Sequence, residues 1–401
     1  MRTSTPAEPG TAHTPDTPGP AAALGASGQP SARFGPRAAW PALALYVGLR
    51  AVAMLALWRA ADAFGRDLGS RLTAWDGGHY LILAMRGYDT AIPLKPDGSL
   101  ATTNLAFFPL YPGLIAALDP VLPGGSRITA IAVSWAAGVA AAWGLYAVGA
   151  QLRDRPTGII LAGLWAVVPH AVVESMGYTE TLFTALAAWS LFALLRRRWV
   201  TAGVLCLFAG LTRSVAIALI AAVGLAALVA VCQRRDGWRP WLGGALAPLG
   251  FLGFAAWVGH RLGRFDGYVY VQRVAWHASF DAGEYAVTYT TRILTQPQEL
   301  GFYVTTLVVL LALALLVLIA IGRVPWPLVI YAAVMFAAVV GVEGYYHTMA
   351  RHLLPAFPLL LPVAYALAAA RRSTVIVVLA LLTAVSAWYG VYLCLIWQHS
   401  P

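Results

Sequence analysis

Charge is what this sequence has least of. Only 11% of its 401 residues are Asp, Glu, Lys or Arg, where soluble domains carry about a quarter, and 60% are apolar. That shortage excludes an ordinary soluble domain and points to an integral membrane protein. Cysteine is scarce too. Cys206, Cys232 and Cys394 lie in or at the ends of apolar runs without CxxC spacing, which argues for packing residues and against disulfides or zinc ligands. His347 and His352 are five apart, a poor zinc spacing on a helix, so no metal site is expected. A basic patch interleaved with aromatics is also missing, so the net charge of +10 is no sign of nucleic-acid binding.

What the chain does have is apolar length. Residues 1–38 form a Pro/Ala/Gly/Thr-rich tail that cannot bury enough surface to offset its chain entropy and is expected to be disordered and cytoplasmic. The membrane domain then fills 39–401. Apolar runs long enough to cross, or nearly so, cover 40–58, 127–150, 157–173, 178–195, 214–232, 241–262, 301–322, 325–342, 353–370 and 374–397. A shorter run at 199–211 is expected to turn back at Thr212-Arg213-Ser214, giving about eleven membrane segments. The fold expected is all-α and polytopic.

Lys and Arg set the orientation. With the N-terminus inside, Arg2, Arg33, Arg37, Arg153, Arg155, Arg196–Arg198, Arg234, Arg235, Arg239, Arg323, Arg371 and Arg372 are cytoplasmic. These fourteen basic residues meet four acidic ones, which accounts for the whole excess of +10; the remaining thirteen basic and thirteen acidic residues cancel. The assignment requires 59–126 to stay outside as one long loop, with "LAFFPLYPGLIAAL" (105–118) lying along the interface, and makes 263–300 a second outer loop. Most acidic residues fall in these loops or at outer helix ends, so the chemistry is expected to be external.

Four constellations carry that chemistry. In "AWDGGHYLILAMRGY" (74–88), helical spacing puts Leu72, Trp75, His79, Ile82 and Arg86 on one stripe with Asp76 beside it. Asp76 is either a helix-end cap or a working carboxylate. Gly77-Gly78 costs helix stability and suggests a close approach to the backbone. Trp75, His79 and Tyr80 offer flat rings with hydrogen-bonding tips, suited to sugars. "ESMGYTETLF" (174–183) places Glu174, Tyr178 and Glu180 at the mouth of two spans. Glu180, one turn into an apolar helix, is expensive unless it lines a polar cavity. Arg213, deep in apolar sequence, needs an anion: either a carboxylate, Glu180 or Glu174, or a phosphate. Arg50 in the first span poses the same choice. In "EGYYHTMARHLLPAFP" (343–358), His347 and Arg351 share a helix face at an outer span end.

In this order, "WDGGHYLILAMRGY", "LAFFPLYPGL", "ESMGYTETLF" and "LTRS" resemble the PIG-V-type mannosyltransferases, and "ARHLLPAFPLLL" is similar to a late-helix segment of polytopic GT-C glycosyltransferases. The resemblance covers about 73–216 and 345–362. It implies a GT-C fold and transfer of mannose from a polyprenyl-phosphate donor on the outer face; the acceptor expected is a lipid-linked or cell-surface glycan. It implies Asp76 as the catalytic base. Trp75, His79, Tyr80, Glu174, Tyr178, Glu180 and His347 are then expected to contact substrate, and Arg351 and Arg213 the donor phosphate. A single-phosphate donor needs no metal, and no cofactor is expected. The Ala-rich composition fits a bacterial relative in a cell membrane. One departure stands out: eukaryotic members follow the arginine with Ser-Asn-Gly, whereas here Ser214 precedes Val215-Ala216, so the resemblance does not carry the acceptor over. A carrier or flippase of lipid-linked sugars is the rival reading, and it would call for inverted repeats; none is evident.

Overall fold

The computed structural model of the chain describes residues 31–401, and the expectation of a disordered tail lies outside these residues as far as residue 30. Ser31–Phe34 is a 3-10 turn, Phe34 packs edge-on to Phe192 at 5.0 Å, and the first long helix begins at Pro36. Proline suits that position, because the first helical N–H has no partner within the helix.

All described secondary structure is helical, apart from two isolated bridges. The first long helix, α1 (Pro36–Ala63), leads to a short α2 (Leu68–Leu72), α3 (Asp76–Arg86) and α4 (Leu110–Leu118). Next come α5 (Gly125–Leu152), α6 (Arg155–Trp165), α7 (Glu180–Leu195) and α8 (Trp199–Gly210). Then follow α9 (Ile217–Cys232), α10 (Arg239–Leu246), α11 (Leu249–Leu262), α12 (Gly267–Tyr270) and α13 (Glu284–Thr295). The last part holds α14 (Leu300–Ile321), α15 (Trp326–Val340), α16 (Met349–His352), α17 (Leu361–Ala369) and α18 (Arg372–Val391).

Six of these units are long and apolar enough to cross a membrane: Pro36–Ala63, Gly125–Leu152, Ser214–Cys232, Arg239–Leu262, Leu300–Ile321 and Arg372–Ile396. A seventh arises if Tyr346–His352 and Phe357–Ala369, bent by 73°, count as one span. The other apolar runs are shorter helices. The run at 157–173 is helical only through Trp165, because Pro169 lacks the N–H that a longer helix would need. The run at 105–118 gives the nine-residue α4, about 14 Å long and too short to cross. The turn expected at Thr212-Arg213-Ser214 is present, between α8 and the 3-10 turn Ser214–Ala216.

The helices pack as one body. α5 runs against α6 and α7, α7 against α8, α8 against α10, and α9 against α10 and α15, while α1 contacts α5, α6 and α18. Small residues allow the close approaches: a Cβ on Gly149 would sit 2.7 Å from the Cα of Gly158 on α6. The helix ends fall into two sets. Arg153, Arg196–Arg198, Arg234, Arg235, Arg323 and Arg371 follow the ends of α5, α7, α9, α14 and α17. The main cavity lies away from the Arg234–Arg235 end of α9: it gathers the stretch before α9 (212–215) together with the C-terminal end of α15 and the connection after it (338–352).

Candidate active site

That cavity, of about 580 Å³, is lined by residues 75–80, 106–108, 212–215, 268–278, 338–352 and 398–400 in part. It brings together Trp75, Asp76, His79, Tyr80, Arg213, His347 and Arg351, all expected from the sequence. Tyr178 and Glu180 lie directly behind its wall, each 1% exposed.

The stripe drawn through Leu72 is broken. Helix α3 starts at Asp76, because Trp75 takes φ 53°, a region that side chains other than glycine rarely adopt. Such strain persists only where the surroundings hold it. Here the Tyr178 hydroxyl donates to the Ala74 carbonyl at 3.1 Å, and the Gly177 N–H donates to the Leu72 carbonyl at 2.8 Å. The same turn explains one of the two glycines: a Cβ on Gly77 would meet the Gly177 carbonyl oxygen at 3.3 Å, whereas Gly78 has nothing nearer than 3.9 Å. The approach to the backbone is therefore by the protein's own chain, at Gly77.

Asp76 caps nothing. Its Oδ2 accepts from Arg351 Nη2 at 2.8 Å, and its side chain remains 29% exposed to the cavity, against 3% for Arg351. The arginine has further partners: Nη1 donates to Ser400 Oγ at 2.9 Å, and Nε lies 3.4 Å from Glu180 Oε1. That same Oε1 pairs with Arg213 Nη1 at 2.6 Å, and Arg213 also donates to Thr179 Oγ1 at 2.9 Å. Two carboxylates and two guanidiniums thus alternate in one chain, Asp76–Arg351–Glu180–Arg213, whose formal charge is zero. Each ion is costly at this depth alone and tolerable in the series. Of the two partners open to Arg213, Glu180 is the one it contacts. Arg351 also stacks over Tyr178, 5.1 Å from the ring centroid.

Opposite these charges stands an aromatic wall. His79 stacks on Phe107 at 4.8 Å and meets Trp276 edge-on at 5.3 Å. Burial holds the His79 imidazole below its usual pKa despite the nearby Asp76, so the ring is neutral at physiological pH. The sequence reading missed Phe107, Trp276, Gln272, His399 and Ser400. Three of them follow π-helical turns, Trp276 after Val271–Ala275 and His399 and Ser400 after Tyr392–Ile396, and neither turn has a composition that sets it apart. A scan against family models finds no match for the chain, and no curated protein matches it. Among the described residues no group of His, Cys, Asp and Glu is arranged to hold a metal ion.

Glu174 does not belong to this site. The 3-10 turn Ala171–Ser175 carries it to a separate cavity beside Arg50, although only six residues separate it from Glu180. Its expected contact with the same substrate is therefore corrected. The main cavity combines a part-exposed carboxylate, a guanidinium with a serine hydroxyl partner, and flat rings. Such a set can accept a proton from a hydroxyl, hold a phosphate, and stack on a sugar.

Proposed function

We propose that this chain is a membrane glycosyltransferase of GT-C type, related to the PIG-V-type mannosyltransferases. It transfers mannose from a polyprenyl-phosphate donor to a lipid-linked or surface glycan acceptor, with the shorter apolar helices completing about eleven membrane segments. The observation that carries this reading is Asp76 bonded to Arg351 at the edge of an aromatic-walled cavity. A base and a phosphate holder must stand side by side for such a transfer. Asp76 takes the proton of the acceptor hydroxyl, whose oxygen attacks the anomeric carbon. The bond from that carbon to the phosphate oxygen breaks, and the leaving phosphate keeps the electron pair. Attack opposite the leaving group inverts the anomeric centre. Arg351 meets the phosphate by exchanging Ser400 for a phosphate oxygen at Nη1. Glu180 and Arg213 hold Arg351 in place from behind. The cavity's position, away from the arginine-rich helix ends, supports an outward-facing site in a bacterial cell membrane.

The test is transfer of labelled mannose from polyprenyl-phosphate mannose by the purified protein in lipid nanodiscs, with cell-envelope glycolipids as acceptors. Asp76→Asn should lower turnover about 10²–10⁴-fold with little change in donor binding. Near-normal transfer by that variant would remove Asp76 from the chemistry. Movement of the donor across vesicles by the wild type, without a new glycoside, would favour the carrier reading.

A further inference from the structure

A cleft of about 270 Å³ opens among the arginine-rich helix ends, where α7, α9 and α15 meet the start of α8. Buried apolar side chains of α7 and α9 line its inner part, and Arg197, Arg235, Trp199 and Trp326 line the rest. The two helices end alike. The Arg198 N–H donates to the Ala193 carbonyl at 2.8 Å, and the Arg235 N–H to the Ala230 carbonyl at 2.9 Å. Each bond closes over a left-handed residue, Arg197 with φ 57° and Arg234 with φ 53°. Glycine ordinarily takes that place, because a Cβ is strained there. An arginine held in a glycine's position points to a use for its side chain.

Charge selects the ligand. The connections after α7 and α9 carry five arginines, Arg196–Arg198, Arg234 and Arg235, against one carboxylate, Asp236. Helix dipoles do not alter that excess: two C-terminal ends (α7, α9) and two N-terminal ends (α8, α15) meet here, so partial charges of about half a unit each cancel. Asp236 is already engaged, accepting from Trp199 Nε1 at 2.9 Å and standing 3.7 Å from Arg197 Nε. Both terminal nitrogens of Arg197 stay uncommitted, and among the described residues the Arg235 side chain has no hydrogen bond or ion pair. A headgroup with its own ammonium would set that cation among arginines, whereas a phosphate diester without one takes paired N–H donors from each fork. The apolar wall selects a lipid over a free anion. It runs on along α9, a candidate membrane span, where Leu225 and Val229 are 43% and 40% exposed. We infer that this cleft holds a phospholipid of net negative charge, its phosphate met by Arg197 and Arg235 and an acyl chain lying along α9.

The test uses phosphatidylglycerol and phosphatidylcholine probes with the same diazirine-bearing chain, each as a trace in phosphatidylcholine nanodiscs, with labelled sites mapped by peptide mass spectrometry. The phosphatidylglycerol probe should label 226–230 and 326–327, which line the cleft, at least about tenfold more than the phosphatidylcholine probe, since one hydrogen bond to a charged group is worth that much. Unlabelled phosphatidylglycerol should compete, and excess inorganic phosphate should not. Arg197→Gln with Arg235→Gln should erase the preference. Arg234→Gln with Arg239→Gln, which removes as much charge outside the cleft lining, should keep most of it. Val229→Trp, which narrows the cleft at a part-exposed position, should lower labelling with no change of charge. Equal labelling by the two probes, competition by inorganic phosphate, or equal loss in both double variants would overturn the proposal. The readout needs no turnover, so its failure is separate from any failure of the transferase reading.

Discussion

Arg351 Nη2 and Asp76 Oδ2 are 2.8 Å apart although 275 residues separate them in the chain. The pair joins the loop after the first long helix to the bend before α17. It also constrains the proposed function: Nη2 has two N–H groups, one given to Asp76, and lies 3.3 Å from His352 Nε2 as well, so a phosphate would be met mainly through Nη1.

Arg351→Lys tests that constraint. Lysine keeps the charge but loses the fork that reaches Asp76, Glu180 and Ser400 at once. Donor affinity should fall at least about tenfold while the folded protein is still recovered. Normal donor binding with early melting would make Arg351 a structural anchor.

Glu180 and Arg213 should behave as a structural pair, 1% and 10% exposed on their side chains. Arg213→Met should cost about 3–5 kcal/mol, because it leaves the carboxylate with only the longer contact to Arg351. Adding Glu180→Gln should recover part of that loss, as thermal melting of all three variants would read. Full additivity would mean that the two residues do not act on each other.

Acid should weaken the aromatic wall. The native imidazole of His79 titrates below its unfolded value near 6.5, so the unfolded chain binds the extra proton first. Its contribution to stability is complete above about pH 6.5 and is lost as pH falls through that value toward the lowered native one. Melting temperature should drop between pH 7 and pH 5, and the drop should be smaller in His79→Phe, which keeps a ring beside Phe107 and Trp276.

Sidedness follows from the arginine count. In a background lacking the three native cysteines, single cysteines at Asp97 and Asp281 should react with an impermeant thiol reagent in intact cells. Those at Arg197 and Arg235 should not. The reverse pattern would turn the molecule over and place the cavity inside.

Charge made much of the site legible in the sequence. Asp76, Glu180, Arg213 and Arg351 stand out because ions among apolar residues need partners, and the structure joins all four. Trp276, Phe107 and Ser400 carry no such signal, since an aromatic ring or a hydroxyl in a loop costs nothing by itself. Glu174 lies elsewhere because closeness in sequence is not closeness in space: it sits on the 3-10 turn Ala171–Ser175, and the bends at 176–179 turn the chain before Glu180. Apolar runs also overstate helix length: they register composition, while helices stop at backbone events such as Pro169 or the 73° bend before Phe357.

The shared oxygen of Glu180 bears on how the protein is made. At about 5–20 residues per second, Arg351 leaves the ribosome roughly 14–55 s after Asp76. Arg213 follows Glu180 by only thirty-three residues, or about 2–7 s. During synthesis Glu180 therefore finds a cation early, while Asp76, part-exposed in its loop, can wait in water. Arg213 is thus available to neutralise the buried acid before Arg351 can complete the series Asp76–Arg351–Glu180–Arg213.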